Sequence, residues 1–335
     1  MSSTPRHGCL VLARRALICA TFGACAAYAD PSDFPETRIA PQPVAPLPAS
    51  DTTNEVMIEA PEPRYVAPTL RDRIGRIWAP VTINGLGPFR LVLDTGATHS
   101  GVTARVADAL GISLTDAKLV RLIGVTGAAD VPTIHIDTLT VGDLEMGATV
   151  LPIVTDALGG AEGVLGTEGL SDKRIYIDFR HDLITIKKSH NERAGFRFQT
   201  VPFRFSRGNL LLVRAQIGDI PCDAIIDTGG QSSVGNISLR NALQRSMHQH
   251  PYTTEVQGVT QEIQSGDAVY VPPITFSGLK IAGARVIFGD IRIFDHWQMN
   301  GRPVVLIGMD TLGLLDTLII DYKRHELQIR TLGNR

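Results

Sequence analysis

Two aspartates stand at the ends of apolar runs, and each is followed by Thr-Gly. Asp94 lies in "LVLDTGATHS" (91–100) and Asp227 in "AIIDTGGQSS" (224–233). A carboxylate at the end of a strand-like run costs stability if it is buried unpaired, so two in matched contexts point to a shared use. Two carboxylates a few ångströms apart cannot both ionise, and they share one proton. One then takes a proton from a bound water while the other gives one to a substrate carbonyl oxygen. Such a pair hydrolyses an amide without a covalent intermediate. Gly96 and Gly229 allow the tight backbone that these loops need; two lobes related by a pseudo-two-fold axis would bring the loops together, and the hydroxyls of Thr95 and Thr228 could then bond backbone groups across it.

The elements that must position these residues are written twice. "VTINGLGPFRLVLDTGA" (81–97) parallels "AQIGDIPCDAIIDTGG" (215–230), each an alternating strand, a Gly turn and an apolar strand that ends in the triplet. A short helical pattern follows in both halves, "TARVADALGI" (103–112) and "SLRNALQRS" (238–246). Then "IGVTG" (123–127) parallels "QGVTQ" (257–261), with 30 residues from Asp94 to Gly124 and 31 from Asp227 to Gly258. Alternating stretches (132–154 and 269–288) lead to "GVLGTEGL" (163–170) and "VLIGMDTLGLL" (305–315). The halves close with "IYIDFRHDLITI" (175–186) and "LIIDYKRHELQI" (318–329). Chance puts a lone Asp-Thr-Gly in roughly one chain in ten of this length. Two of them in a repeated scaffold are far more specific. A plain tandem duplication explains the strands but does not require both strand ends to keep an Asp.

At these residues the chain resembles the aspartic proteases, and the retropepsin-like branch most closely, over about residues 76–333. The resemblance implies an all-β fold of two pseudo-symmetric lobes with few short helices and the active site in the cleft between them. It implies lobes at 73–190 and 196–335, joined by a short connection. By the same resemblance Asp94 and Asp227 are the catalytic pair, and Thr95 and Thr228 interlock the two loops. Val164-Leu165-Gly166 and Leu306-Ile307-Gly308 match the second signature, which packs beside the catalytic loop. Gly124-Val125-Thr126 and Gly258-Val259-Thr260 fall where flap hairpins would close over a substrate. Two flaps look like a retropepsin dimer fused into one chain.

The chain also departs from symmetry. Ala97 follows the first triplet and Gly230 the second, with Gln231 after it. Gln261 stands in the second flap where Gly127 stands in the first, so the flaps are not expected to move alike. The second half runs 50 residues from flap to signature against 42 in the first, and "FDHWQMNGRP" (294–303) is the expected insertion.

Composition bounds the rest. The 335 residues suit about two lobes, and 32 Gly with 20 Pro and few aromatics fit many short strands joined by turns. A formal net charge of −2 offers no electrostatic footprint for nucleic acid. Residues 1–29 read as a signal peptide: Arg6, Arg14 and Arg15 precede "ALICATFGACAA" (16–27), too short to span a bilayer, and "AYA" offers small residues for cleavage. That predicts export, periplasmic above all. A rival reading lipidates Cys25. Residues 30–72 are Pro-rich and poor in large apolar residues, which predicts an unfolded linker or a pro-segment. Cys222 is the one thiol beyond the signal and reads as a buried structural residue.

"GLGPFR" (85–90) is a turn rather than a phosphate loop, because no helix follows it. "HQH" (248–250) reads as a solvated loop, and His99 as a surface residue. Ser100, Ser232 and Ser233 have no paired His motif that would make a nucleophile. The expectation is thus a monomeric aspartic endopeptidase acting on extended peptide or unfolded protein, with no cofactor, metal or membrane span. The rivals are an inactive peptide-binding module and an obligate homodimer.

Overall fold

The computed structural model describes residues 56–59, 76, 78–156, 158–207, 209–247, 251–260 and 262–331. The expected signal segment with Cys25, most of the span 30–72, the His248-Gln249-His250 loop and Gln261 lie outside these residues.

In the first half, strand Trp78–Ile83 buries Ala79, Val81 and Ile83 in alternation. It turns at Asn84 and Gly85, whose φ angles of 49° and 76° give the left-handed pair that a tight hairpin favours. The chain returns as Leu86–Leu93. Alternation stops at the end of that strand, where Leu91, Val92 and Leu93 are all buried. There the strand gains a parallel neighbour, Gly163–Leu165, with Leu93 opposite Leu165. A strand covered on both faces has no polar side. The second half repeats the arrangement. Ile220–Ile226 pairs antiparallel with Leu210–Ile217 and parallel with Val304–Ile307, placing Ile226 opposite Ile307.

Both expected helices form, as Ala104–Ala109 and Ile237–Leu243. The second is capped by Asn236, whose side-chain oxygen accepts from Leu239 N–H (2.9 Å). The Asn236 amide also donates to Met299 O (2.9 Å) and Arg302 O (2.7 Å), tying the helix to the insertion. Two hairpins project as the sequence anticipates: Leu119–Ile123 with Ala128–Ile136, and Tyr252–Gln257 with Ile263–Tyr270.

The closing strands of the two halves join one sheet. Its order is Leu183–Lys188, Lys173–Asp178, Thr317–Asp321, Glu326–Arg330 and Gln199–Pro202. Across the junction Arg174 reaches the buried Asp321 (2.8 Å) and the Gln328 side chain (2.6 Å). Ser189 Oγ donates to the same Asp321 (2.8 Å). The halves are therefore stitched by backbone pairing as well as side-chain contact.

Within the span expected as an unfolded spacer, Val56–Glu59 form a strand. It pairs in parallel with Leu279–Ala282 at the edge of the second half's sheet. An edge strand offers unpaired N–H and C=O groups, which a nearby extended segment can satisfy without a core of its own.

Candidate active site

Asp94 and Asp227 sit one residue past matched strand ends, and their backbones continue the parallel pairing. Asp94 N–H donates to Leu165 O (2.9 Å) and Asp227 N–H to Ile307 O (3.0 Å). The second signature is thereby the neighbour that sets the height of each Asp. This is the physical reason why the apolar runs end in a carboxylate: pairing continues to the Asp backbone, and the side chain emerges where the sheet's cover ends.

The loops then cross. Thr95 Oγ1 donates to Ile226 O and Thr228 Oγ1 to Leu93 O, both at 2.6 Å. Each hydroxyl also accepts the opposite threonine's N–H, at 3.1 and 3.2 Å. Both threonines are buried, so four complementary bonds lock the loops in a low-dielectric setting. Beyond them each carboxylate is held by two amides of its own loop. Gly96 N–H (2.8 Å) and Ala97 N–H (3.1 Å) reach Asp94 Oδ1. Gly229 and Gly230 N–H reach Asp227 Oδ1, both at 2.9 Å.

The crossing brings each carboxyl against the other loop's glycine. A Cβ on Gly229 would lie 2.2 Å from the Asp94 carboxyl carbon, and one on Gly96 would lie 3.0 Å from Asp227 Oδ1. Burial raises both carboxyls above the ordinary carboxylate range. At Asp227 burial acts first and the neighbouring Asp94 charge adds to it. At Asp94 the neighbouring Asp227 carboxyl, the loop amides and the nearby Arg76 oppose the effect of burial. Two buried carboxyls this close titrate as a pair rather than singly.

Behind each loop lies a support that sequence reasoning passed over. Ser100 Oγ accepts Gly166 N–H (3.0 Å), and its own N–H donates to Glu168 Oε1 (2.5 Å). In the other half Ser233 Oγ accepts Gly308 N–H (3.1 Å), and its N–H and hydroxyl donate to Asp310 (3.0 and 2.7 Å). These buried serines brace the second signature. A signal for them existed: a Ser six residues after each Asp, and an acid two residues after each signature Gly. Gly166 and Gly308 are needed for close approach, since a Cβ would meet His99 backbone at 2.5 Å and Ser232 backbone at 2.7 Å. The His99 side chain itself is exposed. Cys222 is buried and its thiol is pushed up to about 12 by desolvation, which leaves it inert near neutral pH.

The flap tips meet each other and cross to opposite walls. Gly258 N–H donates to Thr126 Oγ1 (3.0 Å), and a Cβ on Gly124 would lie 3.1 Å from the Val259 side chain. Val259 packs on the first half's apolar cluster of Val92, Val154, Leu158, Ala161 and Val164, with Ala97 at its border. Val125 packs on a larger cluster in the second half that includes Ile225, Val234 and Leu306.

The insertion builds much of that larger wall. Helix Arg292–His296 and the turn after it contribute Ile293, Phe294, Trp297 and Met299. Each tip carbonyl is also anchored: Val259 O accepts from Thr155 Oγ1 (3.0 Å) and Val125 O from Ile293 N–H (3.3 Å). Thr260 is part of the second tip, beside Gly124. The expected asymmetry between flaps thus has one visible source, a hydroxyl anchor on one side and an insertion helix on the other.

Comparison with known proteins adds one match. A family model described as "Aspartyl protease" matches residues 79–168 and 213–311, one region in each half. No curated protein matches the chain significantly.

Proposed function

The chain belongs to the retropepsin-like aspartyl protease family, and from that premise we propose that it is an active aspartic endopeptidase with Asp94 and Asp227 as its catalytic pair. The observation that carries the reading is the crossed loops, in which each carboxyl abuts the other loop's glycine; two carboxyls so placed share one proton. A water held by both carboxyls loses a proton to the ionised one and attacks the scissile carbonyl, while the protonated one donates to the carbonyl oxygen. The proton then passes to the leaving amine as the tetrahedral species collapses. Peptide would lie extended beneath the flaps, which must part to admit it because their tips touch. The apolar clusters under Val125 and Val259 favour apolar side chains on either side of the scissile bond.

One chain carries both Asp loops and shares its closing sheet between the halves, which favours a monomeric enzyme. The basic, apolar, small-residue N-terminus supports export. The deciding experiment is cleavage of a peptide library and of an unfolded protein by the purified chain, with Asp94→Asn alongside. Cleavage that vanishes in the variant supports the reading; a wild-type chain that binds peptide without cutting it refutes it.

A further inference from the structure

Arg76 precedes the first half's opening strand, and nothing in the repeat pattern singles it out. Its side chain is buried, with 6 % of the residue exposed. Its Nη1 donates to Gly229 O at 3.2 Å, in the loop that carries Asp227. Gly229 in turn lies against the Asp94 carboxyl. A permanently charged guanidinium is therefore built in beside the pair, reaching from one half to the other half's loop.

Strand register identifies its counterpart. Trp78 lies opposite Val92, and Leu212 lies opposite Ile225. Val92 and Ile225 each stand two residues before their Asp, so Trp78 corresponds to Leu212 and Arg76 to Leu210. Leu210 is buried in the second half's apolar cluster. The crossed threonines, loop amides and bracing serines come in matched pairs, whereas this cation has an aliphatic partner.

We propose that Arg76 is a positioning residue that breaks the symmetry of the pair: it holds the Asp227 loop through Gly229 O and, by its charge, makes Asp94 the ionised base and Asp227 the bearer of the shared proton. The inference rests on the two-aspartate reading of the site. Its electrostatic direction agrees with the carboxyl shifts, since Arg76 opposes the upward shift of Asp94.

Among the described residues, Tyr322, Glu168, Asp310 and His99 also stand near the pair or its loops. Tyr322 is buried and pushed up by desolvation and by Asp94, so it stays neutral. Glu168 and Asp310 stand behind the two loops in matching places, each bound to its serine. The His99 side chain is exposed. Among these described groups none is a buried cation.

The test uses the full chain with Arg76→Gln and Arg76→Lys. Gln keeps a donor for Gly229 O but removes the charge; Lys keeps the charge. Carboxyl-carbon NMR of aspartate-labelled protein follows the pair's two titration steps whether or not peptide is cleaved, and the pH dependence of kcat/KM reports the same steps in the active enzyme. A cation beside the pair favours ionisation, so removing it should move both steps, and both limbs of the pH profile, upward by about one unit. Lys should leave them near wild type. Unmoved steps in Arg76→Gln, or equal shifts in both variants, would overturn the proposal even if activity falls. A wild-type chain that titrates as described but never cleaves would count against the protease reading alone.

Discussion

The Gly229→Ala substitution tests the crossed-loop geometry directly. An added methyl would sit 2.2 Å from the Asp94 carboxyl carbon, 2.4 Å from Oδ2 and 2.6 Å from Oδ1. Carbon atoms rest at about 3.5–4.0 Å, so loop and carboxyl must separate by roughly 1.3 Å. The carboxyl cannot simply rotate away, because Gly96 and Ala97 N–H hold its Oδ1. A misplacement of about 1 Å at reacting groups costs on the order of 10²-fold in rate. Gly229→Ala should therefore lose at least about 10²-fold in kcat, with a stability loss of about 1–3 kcal/mol from overpacking.

Gly96→Ala is the internal control. Its methyl would lie 3.0 Å from Asp227 Oδ1 and 3.1 Å from the Asp227 carboxyl carbon and Asp94 Oδ1. Adjustments of a few tenths of an ångström relieve that, so a loss of about tenfold or less is expected. The assay is kcat/KM on a fluorogenic peptide at the acid optimum, with circular dichroism and thermal melting to verify the fold. Retention of more than a third of wild-type activity by Gly229→Ala, or greater damage from Gly96→Ala, would refute the reasoning.

Asp94→Asn and Asp227→Asn should each abolish cleavage with the fold intact; more than a few per cent of residual activity in either would contradict a shared pair. Burial raises Asp227 well above its ordinary 3.8, so the stability from binding that proton is full below 3.8 and lost as pH rises through the raised value. Asp227→Asn should accordingly melt above wild type at pH 7 and close to it at pH 3.5, and the reverse order would show that the carboxyl is not raised. Thr95→Val leaves Ile226 O and Thr228 N–H without their partner, which should cost roughly 2–4 kcal/mol by denaturant melts; a loss under 0.5 kcal/mol on that scale would mean the lock contributes little. The pH optimum should fall at roughly 4–6, because Ala97 and Gly230 offer the carboxylates no side-chain donor. Ala97→Ser adds one and should move the upper limb down by about half a unit; an unmoved limb would mean the new hydroxyl does not reach Asp94.

The repeat and its chemistry were legible because the two halves hold the same residues in the same order. Duplicated alternation shows where strands lie, and two Asp-Thr-Gly triplets at strand ends show where ionisable groups sit. The flap hairpins and short helices were visible for the same reason: their patterns are local, carried by period and by Gly. The offset of eight residues located the insertion, though not its use as a wall for Val125.

What lay beyond the sequence is whatever depends on contact between distant segments. Ser100 and Ser233 recur at matched positions, but their role as braces follows from side-chain hydrogen bonds to Gly166 and Gly308, 66 and 75 residues away along the chain. The closing segments read only as the matched ends of the two halves, and their union in one shared sheet was not legible, because backbone pairing between the halves has no side-chain signature. Val56–Glu59 sat in a span whose composition predicts no core, yet an open sheet edge elsewhere supplied its partner.

Arg76 is the clearest case. Its residue type announces a charge, and only the register that aligns it with Leu210, together with the crossing that sets Gly229 beneath it, decides which of two identical triplets that charge touches. Sequence alone pointed to two carboxylates in matched loops and to the chemistry such a pair would allow. The tertiary structure decided how they differ, because a charge is the same wherever it stands in the chain, while its field falls on whatever the fold brings near.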